Sequence, residues 1–432
     1  MGSDLAGSTI LRFAHAFESG GGTERYLDDL DRELLRRNAM TIVRLHLTRQ
    51  LPSKGQTEER VGQGSLVRVP LPVHPAPESS AMPRGRSFPS QLKQQARDRV
   101  LYHPLVWRAV GANWAARLRL PPKPGQAIGA GAAASEALRS RRIDLVMLHF
   151  FGGADADEVV AETRRAGVPF AVLNHYSNDR FLHLPIRKHA MLADGVAGVN
   201  GLEVPGYIRN RFVNLSDGID TQFFRRAHAQ APAIRLALPI VLLPARIIRE
   251  KGQLDLVKAA SSLRRSGVEC CLAFAGRADS SEFVAELRRE IDRAGMTADV
   301  QFLGDLSPSE LRDWYAASAV VALPTYHHEG LGRVLLEAQA MGSPVVAYAT
   351  GGVAEAFAPG HTGFLLPTGD IVGLANRLRQ LLASPLLCAS MGARGREAAE
   401  NQFSLAALAE RHERFYHQVI TAFKAGQRIN AD

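Results

Sequence analysis

The chain has 432 residues, of which 46% are hydrophobic and 22% are charged, and its formal net charge at pH 7 is +9. These values exclude a single small module and a disordered or collagen-like chain, and they predict two or three folded domains. The three cysteines are too few for a disulfide framework and favour a reducing cytoplasm. No secretory signal core is visible, and no apolar run approaches the roughly 20 residues needed to cross a bilayer. We therefore expect a cytoplasmic protein that is at most peripheral to a membrane.

The first half of the sequence alternates short β-branched runs with helical stretches, a pattern typical of a parallel sheet covered by helices on both faces. It predicts helices at 24–37 and 155–166 and strands at 9–14, 41–47, 66–69, 143–149, 169–173, 195–199 and 212–215. Six prolines between residues 70 and 89 exclude a regular element there, so we expect a long loop.

The positive charge is concentrated between residues 84 and 142, where twelve basic residues face two acidic ones. This segment carries +10 and the rest of the chain −1, and aromatic residues such as Trp107 and Trp114 lie among the basic ones. Such a mixture suits an anionic membrane surface or a phosphorylated partner, and equally a solvated helical arm. Nucleic acid is not an expected partner, because no recognised binding motif accompanies the charge.

A second α/β unit follows a segment at 224–239 that has the composition of a linker. Its predicted strands are 240–245, 269–275, 300–303, 320–323 and 344–347, and its predicted helices are 253–265, 282–294, 308–317, 332–341 and 371–383. Both halves resemble Rossmann-type sheets, in which ligands lie beyond the carboxyl ends of the strands. We therefore expect two such sheets to face each other across a cleft.

The most informative stretch is 324–342. A predicted strand ends before it, a loop carries Glu329, Gly330 and Gly332 open a helix, and Glu337 lies inside that helix. Glycines at a helix entry let backbone N–H groups approach a ligand, and the helix dipole favours a phosphate there. At roughly 1.5 Å per residue, the eight steps between the glutamates span about 12 Å. The two carboxylates are thus placed to hold hydroxyl groups on either side of a diphosphate, one on a sugar and one on a ribose.

The spacing of the glutamates is no evidence by itself, because Glu282 and Glu290 show the same interval on an ordinary helix. The residues around Glu329 and Glu337 distinguish this pair from an ordinary helix. Glu329 to Glu337 with its glycines, then Gly-Ser-Pro-Val-Val at 342–346, Thr-Gly-Gly at 350–352 and Glu355, resemble the donor-binding domain of retaining glycosyltransferase family 4, which has the two-domain GT-B fold.

Other motifs of that family occur in the expected order. Arg246 and Lys251 match the cations that hold the donor diphosphate, Gly304 matches the loop beside the nucleobase, and Gly21 and Gly22 match the glycine loop at the cleft. His149 matches the histidine beside the transferred sugar. The resemblance implies the catalytic residues His149, Glu329, Arg246 and Lys251, and the donor-binding residues Gly21, Gly22, Arg246, Lys251, Gly304, Glu329, Gly330, Leu331, Gly332 and Glu337.

The resemblance also implies the domain organisation. We expect an acceptor-binding domain at 1–223, a donor-binding domain at 224–400, and a terminal segment at 401–432 that packs back on the first domain. The amphipathic spacing of 405–425 agrees with a packed helix.

The implied reaction is retaining transfer from a UDP or GDP sugar to a hydroxyl, with neither a cofactor nor a metal required. The leaving phosphate takes the acceptor's proton, while cations and helix N–H groups stabilise its charge. Glu329 would orient the sugar and Glu337 the ribose. The expected acceptor is a glycan or lipid-linked molecule of surface polysaccharide, lipopolysaccharide, O-antigen or exopolysaccharide synthesis. The alternatives are a soluble small-molecule or natural-product acceptor, a nucleotide-sugar epimerase, and a non-catalytic binding protein.

Some features depart from the family or imitate other sites. Asp217 stands where the family usually has asparagine, which keeps the turn but loses a side-chain donor. The adjacent His327 and His328 favour acceptor contact or surface exposure over metal binding. The glycine pattern at 129–134 imitates a dinucleotide fingerprint but follows no strand, so it indicates a helix start. His175 follows a predicted strand and suits either the cleft or a structural role, so it is left outside the predicted site.

Overall fold

The computed structural model of the protein describes residues 5–15, 22–48, 56–72, 129–149, 154–176, 178, 181, 184–232 and 238–429. Gly21 and most of the basic segment, 84–128, lie outside the described residues.

The first sheet has eight strands among the described residues, in the order β3-β4-β2-β1-β5-β6-β7-β8. Every neighbouring pair is parallel except β3 and β4. The strands are β1 (Thr9–His15), β2 (Thr41–Thr48), β3 (Thr57–Val61), β4 (Gly64–Pro72), β5 (Leu145–Leu148), β6 (Phe170–Asn174), β7 (Gly195–Gly198) and β8 (Phe212–Asn214). The helices among them are α1 (Gly22–Arg37), α2 (Ala130–Ser140), α3 (Ala154–Arg165) and α4 (Leu184–Leu192).

The second sheet has six parallel strands, in the order β11-β10-β9-β12-β13-β14. They are β9 (Ile240–Pro244), β10 (Cys271–Ala275), β11 (Val300–Gly304), β12 (Val320–Leu323), β13 (Val345–Tyr348) and β14 (Gly363–Leu366). The helices of this half are α5 (Gln253–Arg265), α6 (Ser281–Arg293), α7 (Pro308–Ala317), α8 (Arg333–Ala340), α9 (Ile371–Leu382) and α10 (Pro385–Gln402), and α11 (Leu405–Lys424) follows.

Continuous apolar runs form the central strands because helices cover both faces of each sheet. All residues of β5, β6 and β9 are buried. The terminal helix α11 belongs to the core of the first sheet, where Phe415 and Val419 pack with Leu30 of α1. The chain thus returns to the first half after it has built the second, as the resemblance to the GT-B fold implies.

The two crossings between the halves run side by side. The backbone N–H of Ile219 donates to the carbonyl of Phe403 over 2.8 Å. The Arg411 guanidinium donates to the carbonyls of Leu215, Gln402 and Asp217, and so holds both crossings together. These crossings are the natural axis for any movement of one domain relative to the other.

Several expectations need correction. The described ends of the predicted linker are not free, because Phe224 is buried in the core of the second domain beside Tyr315, and Ala229 and Leu238 pack against the same core. So few, widely spaced apolar residues give no periodic signal, which is why composition missed them. The edge strand β3 was also missed, because its sequence Thr-Glu-Glu-Arg-Val is mostly charged. The division of the chain at residues 223 and 400 stays a prediction.

Candidate active site in the cleft

The two halves meet at the loop that carries Glu329. From the first domain, the Asn200 side chain donates to the carbonyl of Gly330 over 2.7 Å, and the Gly201 N–H donates to Glu355 over 3.0 Å. From the second domain, Arg333 donates to Asp29 of α1 over 3.2 Å. Contacts from both domains therefore surround this loop, at the edge where ligands of such folds bind.

Lys251 and Glu329 lie together in this loop region and form an ion pair. Their side chains are 12% and 17% exposed. The carbonyl of Glu250 accepts the N–H of Tyr326 over 2.7 Å and the hydroxyl of Thr325 over 3.1 Å, which ties the loop after β12 to the residue before Lys251. The structure thus brings a cation and a carboxylate of the predicted site into direct contact.

Helix α8 begins directly after a glycine. Gly332 is the N-cap of α8 with φ of 86°, in the left-handed region that favours glycine. It offers no capping side chain, so the N-cap residue leaves the first N–H groups of the helix without a side-chain acceptor. Leu331 is buried and anchors this turn in the core of the second domain.

Arg246 has its ion-pair partner outside the Lys251 and Glu329 pair. Its side chain is 55% exposed and pairs with Asp279 over 2.8 Å. Gly304 ends β11 with φ of 68°, and its carbonyl accepts the Gly276 N–H over 2.8 Å. The loops after β10 and β11 are therefore joined at the same edge of the sheet.

Glu337 lies inside α8 and is only 2% exposed. It accepts the Tyr315 hydroxyl over 2.8 Å, and burial raises the pKa of its carboxyl, against the effect of nearby Arg333. The 12 Å estimate assumed a helical rise from Glu329 onward, but α8 begins only at Arg333. The role of Glu337 beside a ribose stays a prediction.

His149 is buried inside the first domain, and its role beside the transferred sugar stays a prediction. It directly follows β5, is 1% exposed, and has both ring nitrogens engaged. Arg12 approaches Nε2 at 2.8 Å, and His175 Nε2 lies 3.0 Å from Nδ1. A guanidinium can only donate, so Nε2 of His149 accepts and its proton is on Nδ1, directed at His175. Burial and the Arg12 charge hold the pKa of His149 well below its usual value, so the ring is neutral.

His175, which the sequence analysis left out, is the better candidate for the cleft. It follows β6, is half-buried, and its ring stacks on that of His149 with centroids 5.3 Å apart. A Cβ on Gly330 would lie 2.3 Å from the His175 carbonyl oxygen, so this residue abuts the Glu329 loop. Burial lowers the pKa of His175 to about 3. The sequence could have pointed to His175 through its position directly after β6. Strands β5 and β6 are neighbours, so the residues that follow their carboxyl ends lie at the same edge of the sheet.

Buried polar residues connect this histidine pair to the terminal helix. Arg12 forms an ion pair with Asp31 at 2.8 Å and donates to the Tyr416 hydroxyl at 2.7 Å. Tyr416 lies 2.9 Å from His412 Nδ1, and His412 Nε2 lies 2.6 Å from the Tyr26 hydroxyl. The network fixes the histidine tautomers from inside the first domain and gives α11 a direct part in placing them.

Gly22 is the first residue of α1, as the predicted glycine loop requires, whereas Gly21 is outside the described residues. Within the described ranges, no group of three or more His, Cys, Asp or Glu side chains is arranged to hold a metal ion. The described part of the chain also contains no helix with the length and apolar character of a membrane span.

Comparison with known proteins identifies the family. Residues 224–398 match the family described as glycosyl transferases group 1. A GDP-mannose-dependent alpha-(1-6)-phosphatidylinositol monomannoside mannosyltransferase of Mycolicibacterium smegmatis is 30% identical over 262 residues, which are 55% of this chain and 67% of that protein. The chain belongs to the group 1 glycosyltransferases. A D-inositol 3-phosphate glycosyltransferase of Corynebacterium aurimucosum is 35% identical over 221 residues, but these span only 48% of this chain and 51% of that relative.

Solved structures confirm the GT-B fold of this glycosyltransferase. A glycosyltransferase of Rickettsia africae aligns with a TM-score of 0.67 and 18% identity, over 96% of this chain and 99% of that one. The Anabaena protein HepE, crystallised with UDP, aligns with a TM-score of 0.64 and 17% identity, over 94% and 98%. The prediction of two Rossmann-like domains across a cleft is therefore confirmed.

Proposed function

We propose that the protein transfers a sugar from a nucleoside diphosphate donor to a hydroxyl group with retention of anomeric configuration. The observation that carries this proposal is the Lys251 and Glu329 pair in front of the glycine-capped start of α8, at the edge that faces the first domain. Cations and open N–H groups suit a diphosphate, and a carboxylate beside them suits the hydroxyl groups of the attached sugar.

The chemistry follows from this placement. When a diphosphate binds Lys251, it replaces the Glu329 carboxylate as the partner of the ammonium and frees that carboxylate to accept sugar hydroxyls. The glycosidic C–O bond to phosphate breaks, the acceptor oxygen bonds to the same face of the anomeric carbon, and the acceptor's proton passes to the departing phosphate. Lys251, Arg246 and the start of α8 stabilise the charge that develops there. A neutral His175 serves as a hydrogen-bonding partner for the sugar rather than an acid.

For Arg246, the proposal requires a change of partner. Its guanidinium is paired with the exposed Asp279, so it must swing from this carboxylate to the donor phosphates. An exposed pair of this kind is weak, with a typical free energy of about 0–1 kcal/mol, so the exchange costs little. We also propose that no metal is required, because the two cations and the helix start can together balance the charge of the diphosphate.

The donor and acceptor classes are proposed from the relatives. Several are named as GDP-mannose-dependent mannosyltransferases of phosphatidylinositol mannosides, and others as D-inositol 3-phosphate glycosyltransferases. We propose a GDP sugar as donor and a lipid-linked acceptor, of the phosphoinositide or surface-glycan type, presented at a membrane surface. The inositol phosphate relatives favour a soluble polyol phosphate as the second candidate.

A thermal-shift series tests the donor site first. A ligand that binds only the folded state at 100 times its Kd adds about 2.7 kcal/mol of stability, which for a domain of this size is a Tm rise of about 5–10 °C. We expect GDP to give this rise with and without magnesium, in preference to UDP, ADP, dTDP and NAD. The absence of a shift with every nucleotide would overturn the proposed donor site.

Transfer itself is tested with labelled GDP-mannose and UDP-glucose. The acceptors are phosphatidylinositol in vesicles and D-inositol 3-phosphate in solution, each with and without EDTA, and NMR of the product gives the anomeric configuration. Glu329→Ala should lose transfer while its circular dichroism and Tm stay close to those of the wild type. Inversion of configuration, loss of activity in EDTA, or full activity of this variant would each refute a part of the mechanism.

A further inference from the structure

We infer that Asn200 is a positioning residue that makes the orientation of Glu329 depend on contact between the two domains. This inference rests on the proposed function, because it concerns the residue that is to orient the donor sugar. Asn200 follows β7 of the first domain, is 1% exposed, and reaches across to the second domain.

The Asn200 amide has only one orientation available. Its Oδ1 accepts the Leu202 N–H at 3.1 Å and the Asn178 amide at 3.1 Å, so Nδ2 must point the other way. There it donates to the Gly330 carbonyl at 2.7 Å. Asn178 also donates to the carbonyls of Asn200 at 2.9 Å and Leu202 at 2.8 Å, which fixes the backbone of the turn. The donor that meets Gly330 is therefore preset within the first domain.

The two peptide units that follow Glu329 are each held by a hydrogen bond, one from each domain. The Glu329 carbonyl accepts the Gly352 N–H, within the second domain, at 2.9 Å. The next carbonyl along the chain, that of Gly330, accepts Asn200 from the first domain. Rotation of the loop therefore breaks at least one of these bonds. Two successive carbonyls fix the direction in which the Glu329 side chain leaves the backbone.

Close packing leaves the loop no other position while the domains touch. A Cβ on Gly352 would lie 1.8 Å from the Gly330 oxygen and 2.8 Å from the Asn200 Cβ. A Cβ on Gly330 would lie 2.3 Å from the His175 carbonyl oxygen. The chain segments after β6, β7 and β13 are therefore in close contact here, with no room for a Cβ atom at Gly330 or Gly352.

The consequence is a coupling between the acceptor domain and the donor sugar. When the domains separate, the Gly330 carbonyl loses its donor, and Glu329 is left with Lys251 as its partner in the second domain. When they meet, Asn200 restores the loop geometry, so that Glu329 orients the sugar only when the acceptor domain is in place. Asn200 acts through its hydrogen bond to the Gly330 carbonyl.

The test compares Asn200→Ala and Asn200→Asp with a matched control, Asn214→Ala. Asn214 also crosses between the domains, since its side-chain amide donates to Glu355 at 2.9 Å, but it does not contact the Glu329 loop. Two readouts are needed. Amide hydrogen exchange of the peptides that cover 326–332 and 349–355 reports the loop, and calorimetric Kd for GDP with turnover of GDP-mannose and UDP-glucose reports the site.

We expect the Asn200 variants to exchange these amides about tenfold faster and to turn over donor about tenfold more slowly, as loss of one buried hydrogen bond predicts. Asn200→Asp should show the larger effect, because its carboxylate would face the Gly330 carbonyl. The Kd for GDP should stay within twofold. The control, whose partner Glu355 lies in the second peptide, should match the wild type in peptide 326–332 and in turnover.

Unchanged exchange in both Asn200 variants would overturn the inference, as would equal effects in the control. If the wild type turned over neither donor, the proposed function would fail, and the exchange data alone would still decide whether Asn200 holds the loop. A variant with faster exchange and unaltered turnover in an active enzyme would also refute it, because the loop bond would then have no bearing on the reaction.

Discussion

Acidification should destabilise the first domain through histidines that its fold keeps neutral. His149 and His412 are wholly buried, and burial together with the Arg12 guanidinium holds the pKa of each well below its usual 6.5. Unfolded, each would titrate near 6.5. Between that value and the lowered one, the unfolded state binds more protons than the folded state, so the free energy of unfolding falls as the pH falls.

The magnitude follows from the unfolded pKa alone, because the folded-state pKa of both histidines is held well below it. One such histidine costs about 1.4 kcal/mol at pH 5.5 and about 0.1 kcal/mol at pH 7.5, so the pair lowers the free energy of unfolding by about 2.7 kcal/mol over this interval. Glu337 and Asp217 act in the opposite direction, because burial raises the pKa of both carboxyls.

The assay compares the wild type with a variant of one histidine, so the contributions of all other titrating groups cancel. Urea unfolding followed by circular dichroism at pH 7.5, 6.5 and 5.5 is compared between the wild type and His412→Gln. The substitution has its own cost, since it disturbs the bonds to Tyr26 and Tyr416, but this cost is largely independent of pH and cancels in the comparison. The variant should lose about 1.3 kcal/mol less than the wild type between pH 7.5 and 5.5. Identical pH dependence would show that His412 is protonated in the folded protein and would refute the reasoning.

The remaining predictions concern the cleft. Lys251→Ala should weaken GDP binding by about tenfold or more, as loss of a charge-assisted contact implies, whereas Arg249→Ala, which removes an exposed neighbouring cation, should leave the calorimetric Kd unchanged. Gly352→Ala should abolish donor turnover with a near-native circular dichroism spectrum, because its Cβ meets the Gly330 oxygen, and an active variant would contradict that close approach. Asp217→Asn should lower stability by about 1–3 kcal/mol in urea unfolding, and a neutral effect would show that its buried ion pair contributes nothing.

The sequence predicted five of the six strands of the second domain, and it missed β14 and α10. The predicted strands are short apolar runs between amphipathic helices, and some helix starts carry a signal, such as the capping box of Ser307 and Glu310 at α7. Local patterns of this kind are sufficient where contacts are local. In the first domain, β3 pairs along an edge and needs no apolar face, so no period marked it.

The candidate site shows the same limit. The sequence places Lys251 and Glu329 in loops at one edge of the sheet, and the structure brings the two side chains together, while their roles stay predictions. The burial of His149 could not be predicted, because it depends on Arg12 from another strand. Asn200 gave no signal either, since its partner lies 130 residues away in the other domain.

The aspartate at position 217 is explained by its partner Arg333, whose positive charge an asparagine could not neutralise. Arg333, the residue after the glycine cap of α8, donates to Asp217 in the crossing and to Asp29 of α1, each at 3.2 Å. A largely buried guanidinium between two domains needs compensating charge, and a single carboxylate would leave the other side of the contact unpaired. Ser216, with φ of 58°, turns the backbone so that Asp217 faces Arg333. The departure from the family at 217 and the arginine at 333 therefore form one unit, in which an ion pair rather than an amide donor joins the crossing to α8.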